Sequence, residues 1–122
     1  MKTSTINKKE IEKFSRIAEE WWDPNGKFKP LHKFNPIRIS YIKEKIISSF
    51  KLNNSEKPLQ KIRLLDIGCG GGHLVEEISL CVGEQGKVIG IDPSQDQLDV
   101  ASNKCKDLNN VELICATADD IN

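Results

Sequence analysis

The residues best suited to chemistry are five consecutive small ones, Gly68-Cys69-Gly70-Gly71-Gly72, with Asp66 just before them and Asp92 downstream. Glycines that follow a strand permit a tight turn, and with no Cβ they let the backbone approach a ligand closely. A helix that opens directly after such a turn presents unpaired N–H groups to whatever fills the crevice. Asp92 lies 24 residues after Gly68. At the end of the next strand, an acidic side chain can accept hydrogen bonds from the hydroxyls of an adenosine ribose. A dinucleotide site requires G-x-G-x-x-G, whose third glycine lets the helix pack on the strand. Here His73 occupies that position, and Gly68, Gly70 and Gly72 instead follow G-x-G-x-G.

The flanking pattern supplies the elements that must position these groups. Ile62–Ile67 is an apolar β-type run, followed by the glycines and a helical pattern over His73–Val82. Gly83-Glu84-Gln85-Gly86 is a turn, and Lys87–Ile91 is a second strand that ends at Asp92-Pro93. Ser94 with Gln97 resembles a capping box that opens a helix to about Lys106, and Val111–Ala116 is a third strand. The order β-α-β-α-β at this spacing predicts parallel strands joined by right-handed crossovers, with the first strand as the switch point of a doubly wound sheet. Three strands alone would leave the first as an unpaired apolar edge.

Upstream, Asn7 with Glu10 marks a helix start, and Ile11, Phe14, Ile17, Ala18, Trp21 and Trp22 form one helical stripe. The Trp pair is expected to pack, with contact to a membrane surface as the other reading. Asp23-Pro24-Asn25-Gly26 stops that helix, and residues 27–35 read as a loop. Asn35-Pro36 predicts a second helix start, with Ile39, Ile42, Ile46 and Phe50 as its apolar stripe. Residues 51–60 read as a polar linker. The expected division is therefore a helical extension over 1–60 and half of an α/β domain over 61–122.

The 122 residues carry 18 basic and 18 acidic side chains, so no global charge draws the chain to nucleic acid. The balance is uneven along the chain. Residues 1–61 hold 14 Lys/Arg against 7 Asp/Glu (+7), and residues 62–122 hold 4 against 11 (−7). The four cysteines, at 69, 81, 105 and 115, form no C-x-x-C pair, and no metal ligand set is read. Cys81 and Cys115 fall in apolar runs and are expected to be buried thiols, which suits a reducing compartment. No apolar run approaches the roughly 20 residues that span a bilayer.

Residues 64–92 resemble the first two motifs of class I S-adenosylmethionine-dependent methyltransferases. The implied architecture is α/β, a Rossmann-like class I methyltransferase fold with two N-terminal helices, truncated after the third strand. By that resemblance Asp66 hydrogen-bonds the glycine loop, and Gly68 faces the methionine part of S-adenosylmethionine. Gly70 and Asp92 complete its cradle, and Ala118 and Asp119 stand near the adenine.

A narrower likeness runs over roughly residues 8–45. Phe14, Ala18, Trp21-Trp22-Asp23, Gly26-Lys27-Phe28-Lys29-Pro30-Leu31-His32, Asn35-Pro36-Ile37-Arg38 and Tyr41-Ile42 closely resemble the N-terminal region of ubiquinone-biosynthesis O-methyltransferases. This implies methyl transfer to a phenolic oxygen of a polyprenylated, lipophilic substrate, with Arg38 on the methionine carboxylate, a bidentate match. It further implies a cytoplasmic enzyme in peripheral contact with the inner membrane, and partners in a ubiquinone-biosynthesis complex. No catalytic base is assigned, since a lone loop residue such as His32 is more often structural. From about Ile78 onward the pattern is closer to generic small-molecule methyltransferases. A methyltransferase of another small molecule, and a truncated non-catalytic fragment, are therefore the alternative readings.

Overall fold

The computed structural model describes residues 7–21, 23, 25–52 and 56–121, with the side chains of Glu19, Trp21 and Leu31 excepted. The readings of Trp22, Pro24, the Trp21 side chain and linker residues 53–55 fall outside the described part.

The order of elements is α1 (Lys8–Arg16), α2 (Ala18–Trp21), α3 (Lys29–Ser49), β1 (Arg63–Ile67), α4 (His73–Val82), β2 (Lys87–Asp92), α5 (Gln95–Lys104) and β3 (Val111–Cys115), followed by a 3-10 turn, Ala118–Asp120. The three strands form one parallel sheet in the order β1-β2-β3. No reversal of strand order falls among the described residues.

The register sorts the strand residues into two faces. Leu64, Val88 and Val111 lie side by side in one row, and Leu65, Ile89 and Glu112 in the next. Helices cover the first face. Val75, Ile78 and Val82 of α4 and Leu98 of α5 join Val88, Cys69 and Cys105 in the core, with Leu64, Val111 and Leu113 packed against it. The other face is largely open, so Leu65, Ile67 and Ile114 are exposed. Among the described residues β1 pairs with β2 alone, which makes it the apolar edge that three strands predict.

Local chemistry explains the boundaries. The Asn7 side chain accepts from the N–H groups of Lys9 and Glu10 and so caps α1. Ser94 accepts from the Gln97 N–H and caps α5. The upstream helices differ from expectation in two ways. The long stripe is broken at Ile17 (φ −103°, ψ 7°), so α1 and α2 are separate pieces. The second helix begins at Lys29 rather than near Pro36, and Pro36 lies inside it. Pro30 explains the early start, because the first turn has no intrahelical partner for the N–H that proline lacks. The thiols are also redistributed. Cys69 and Cys105 are buried, Cys81 is half-buried and Cys115 is exposed. Cys115 ends an edge strand, so its apolar neighbours in sequence do not enclose it.

Candidate functional site

The glycine loop leaves β1 and is fastened to the end of β2. The N–H groups of Gly68 and Cys69 both donate to the Ile91 carbonyl, at 2.8 and 2.9 Å. The Gly70 N–H donates to Asp92 Oδ2 at 3.0 Å, and the Ser94 N–H donates to Asp92 Oδ1 at 2.9 Å. The contact that the resemblance gives to Asp66 is thus made by Asp92, whose position at the end of the neighbouring strand brings its carboxylate under the loop. Each carboxylate oxygen carries two lone pairs, so Asp92 retains one on each for a further donor.

Gly68 stands at φ +77°, and apart from its own atoms and its two chain neighbours no heavy atom lies within 4 Å of where its Cβ would be. Its bare backbone faces open space. Gly90 does the opposite. A Cβ there would stand 3.0 Å from the Cys69 sulfur, so the missing side chain makes room for Cys69 to plug the loop from below.

Above the loop opens a cleft of about 820 Å³, within the size range of small-molecule sites. Arg38, Asp66, Gly68, Gly70 and Asp92 all line it, so the five residues singled out from the sequence converge on one space. Ala118 lines it as well, whereas Asp119 and His32 are not in the lining. His32 sits within α3 rather than in a loop. The cleft also takes residues that the sequence reading missed: Glu10, Ile11 and Phe14 of α1, and Ile42 of α3. Ile11, Phe14 and Ile42 were legible as apolar helix positions, but nothing in the pattern said that their helices close over the glycine loop.

The electrostatics separate the groups. Burial raises the Asp66 carboxyl above its ordinary range, Arg38 opposes that shift, and Asp92 adds to it. Burial, helped by the charges of Asp92 and Asp66, pushes the Cys69 thiol up to about 12, so it remains a protonated packing group rather than a nucleophile. Burial, and after it the charge of Lys104, lowers the His73 imidazole at the first position of α4, with Glu77 opposing that shift. Among the described residues no cluster of His, Cys, Asp or Glu could hold a metal ion. No helix among them is long and apolar enough to cross a membrane.

These features suit an adenosine-bearing ligand: a bare glycine backbone, a carboxylate with spare acceptor sites at the end of β2, and an arginine across the cleft for an anionic end. Comparison with known proteins agrees. Residues 64–122 match the methyltransferase domain family. The chain is 63% identical over 103 residues to the ubiquinone biosynthesis O-methyltransferase of Pelagibacter ubique (strain HTCC1062), covering 84% of this chain and 42% of that protein. It is 47% identical over 104 residues to the protein of the same name from Rhizobium johnstonii, covering 84% and 41%. The chain therefore spans about two-fifths of the length of the curated relatives it matches. Among solved structures it is similar to the plantazolicin methyltransferase BpumL in complex with a triazolic desmethylPZN analogue and SAH. That match has 26% identity and a TM-score of 0.53, covering 93% of this chain and 43% of the other. A SAM dependent methyltransferase from Aquifex aeolicus is similar at 26% identity and a TM-score of 0.51, covering 96% and 50%.

Proposed function

We propose a function from one premise: the chain belongs to the ubiquinone biosynthesis O-methyltransferases, within the methyltransferase-domain family. It holds S-adenosylmethionine in the cleft above the glycine loop and serves methyl transfer to the phenolic oxygen of a polyprenylated ring. The observation that carries this reading is Gly68, whose bare backbone opens onto the cleft while the carboxylate of Asp92 stands under the same loop.

When bound, S-adenosylmethionine supplies an electrophilic methyl group on a sulfonium. The chain's own residues do the holding. Asp92 offers its remaining lone pairs to the ribose hydroxyls, and Arg38 offers a planar fork to the methionine carboxylate. Asp66 and the backbone of Gly68 and Gly70 border the methionine end. Held in this way, the donor would present its methyl carbon to the phenolic oxygen, with the sulfur as leaving group, and the phenolic proton would pass to a base; no catalytic base is assigned. Fixing the donor in one orientation is a large part of such catalysis, because in-line approach then costs little further entropy.

The lipophilic substrate favours a cytoplasmic protein in peripheral contact with the inner membrane and with partners of the same pathway. The +7 charge of residues 1–61 suits an anionic leaflet.

The test is calorimetric titration of the chain with S-adenosylmethionine and S-adenosylhomocysteine, with NAD as control. Binding of the first two without NAD supports the reading, and equal heats for all three, or none, overturn it. Asp92→Ala is expected to weaken binding by about 1–3 kcal/mol, through loss of hydrogen bonds in a partly buried site. Unchanged affinity in that variant would remove Asp92 from the cofactor contacts. Transfer of a labelled methyl group to a polyprenylated catechol, rather than to an unprenylated one, tests the substrate class.

A further inference from the structure

α1 forms one wall of the cleft, through Glu10, Ile11 and Phe14, yet none of its residues is buried. Apolar packing is therefore a weak anchor for it. Two buried polar side chains at the start of α5 reach it instead. Gln97, 4% exposed, donates from Nε2 to the Phe14 carbonyl at 3.1 Å. Phe14 lies in the last turn of α1. Ser94, 2% exposed, shares a hydrogen bond between its hydroxyl and that of Ser15. The same Ser94 accepts from the Gln97 N–H and donates its own N–H to Asp92.

We propose that Gln97 and the Ser15–Ser94 pair are positioning residues: they latch α1 over the cofactor cleft and tie its placement to that of the Asp92 carboxylate. The latch rests on the reading of the cleft as a cofactor site. Its physical basis is the loss of two hydrogen bonds made by buried side chains when α1 leaves its docked position. Residues 14 and 97 lie 83 positions apart, so the contact closes a long loop of chain and depends on the whole fold being formed. Ligand held between α1 and the glycine loop gains the wall only while the latch is closed.

Gln97→Ala removes one half of the latch. Ser15→Ala removes the other, while leaving Ser94 free to cap α5. In the full chain each substitution is expected to weaken S-adenosylmethionine binding about fivefold, the loss of one such hydrogen bond, and to speed amide hydrogen exchange across residues 8–16. In a chain lacking residues 1–16, Gln97→Ala should have no further effect on affinity, because the element it positions is gone. An affinity loss that persists at full size without α1, or exchange across residues 8–16 that stays at the wild-type rate, overturns the latch. A wild-type chain that takes up no S-adenosylmethionine sinks the function proposed above. Exchange then decides the latch by itself, with faster exchange in Gln97→Ala upholding it and unchanged exchange removing it.

Discussion

In α4, Val75, Ile78 and Val82 are at most 1% exposed, whereas in α3 Phe34, Ile37 and Tyr41 are each at least 60% exposed. Both helices carry apolar side chains, but α3 adds five Lys/Arg and two prolines that α4 lacks, and the two differ greatly in what surrounds them. α4 lies on the sheet and contributes to one continuous core, so its apolar side chains gain the transfer free energy of full burial. Among the described residues of α1 to α3, Ala18 and Ile39 are the buried apolar ones, and α1 is joined to α5 by the hydrogen bonds of Ser15 with Ser94 and of the Phe14 carbonyl with Gln97. Among the described residues, buried apolar packing is thus concentrated from β1 onward, with Ala18, Ile39 and Leu59 before it. The cleft lies where the two parts meet, so a stable floor is joined to walls that can move at lower cost.

The comparison is broken most directly by truncating one side chain in each helix. Ile78→Ala should lower unfolding stability by about 2–5 kcal/mol, while Ile37→Ala should stay within about 0.5 kcal/mol, both read from urea unfolding. Comparable losses would mean that the exposed face of α3 is covered in solution. A smaller effect sharpens the contrast through pH. The Cys69 thiol is raised from an ordinary 9.0 to about 12 in the folded chain. Between those values the unfolded chain has released the proton that the folded chain keeps. Stability from this group is therefore complete below about pH 9 and declines as pH rises toward about 12. Cys69→Ala should flatten that alkaline slope in urea titrations, and an unchanged slope would assign it to other groups. The smallest effect crosses the boundary between the two regions. Arg38 on α3 holds down the Asp66 carboxyl on β1 against the upward push of burial, so Arg38→Ala should raise the Asp66 pKa further in a carboxylate NMR titration. No movement would mean that α3 does not keep its place over the loop.

The same division explains what could be read in advance. From β1 onward, each signal was local and agreed with its neighbours. The glycines fell at positive φ, at +77°, +56° and +83° for Gly68, Gly70 and Gly72, and Ser94 capped the helix that its spacing to Gln97 announced. Upstream, local chemistry pointed two ways. Pro30 and Pro36 each look like a first helical residue, and only the folded chain shows α3 running through the second. The exposed Cys115 depended on which strand lay at the edge of the described sheet, which is a property of topology. At the site, residue types were legible and pairings were not. Asp66 and Asp92 are both acids near a glycine loop, and the register of parallel strands decides that Asp92 holds it. The reach of Gln97 to Phe14 spans most of the chain and leaves no mark in either local pattern.

The plug beneath the loop has a consequence for descent. A Cβ at 90 would stand 3.0 Å from the Cys69 sulfur, 3.1 Å from the Cys69 Cβ and 3.0 Å from Leu113 Cδ2, so two neighbours must give way before position 90 can carry a side chain. Loss of the sulfur at 69 relieves one of these contacts, at the cost of a small void under the loop, and leaves the other two. A residue larger than glycine at 90 is therefore expected where both 69 and 113 have adapted. The three positions change as a set rather than one at a time.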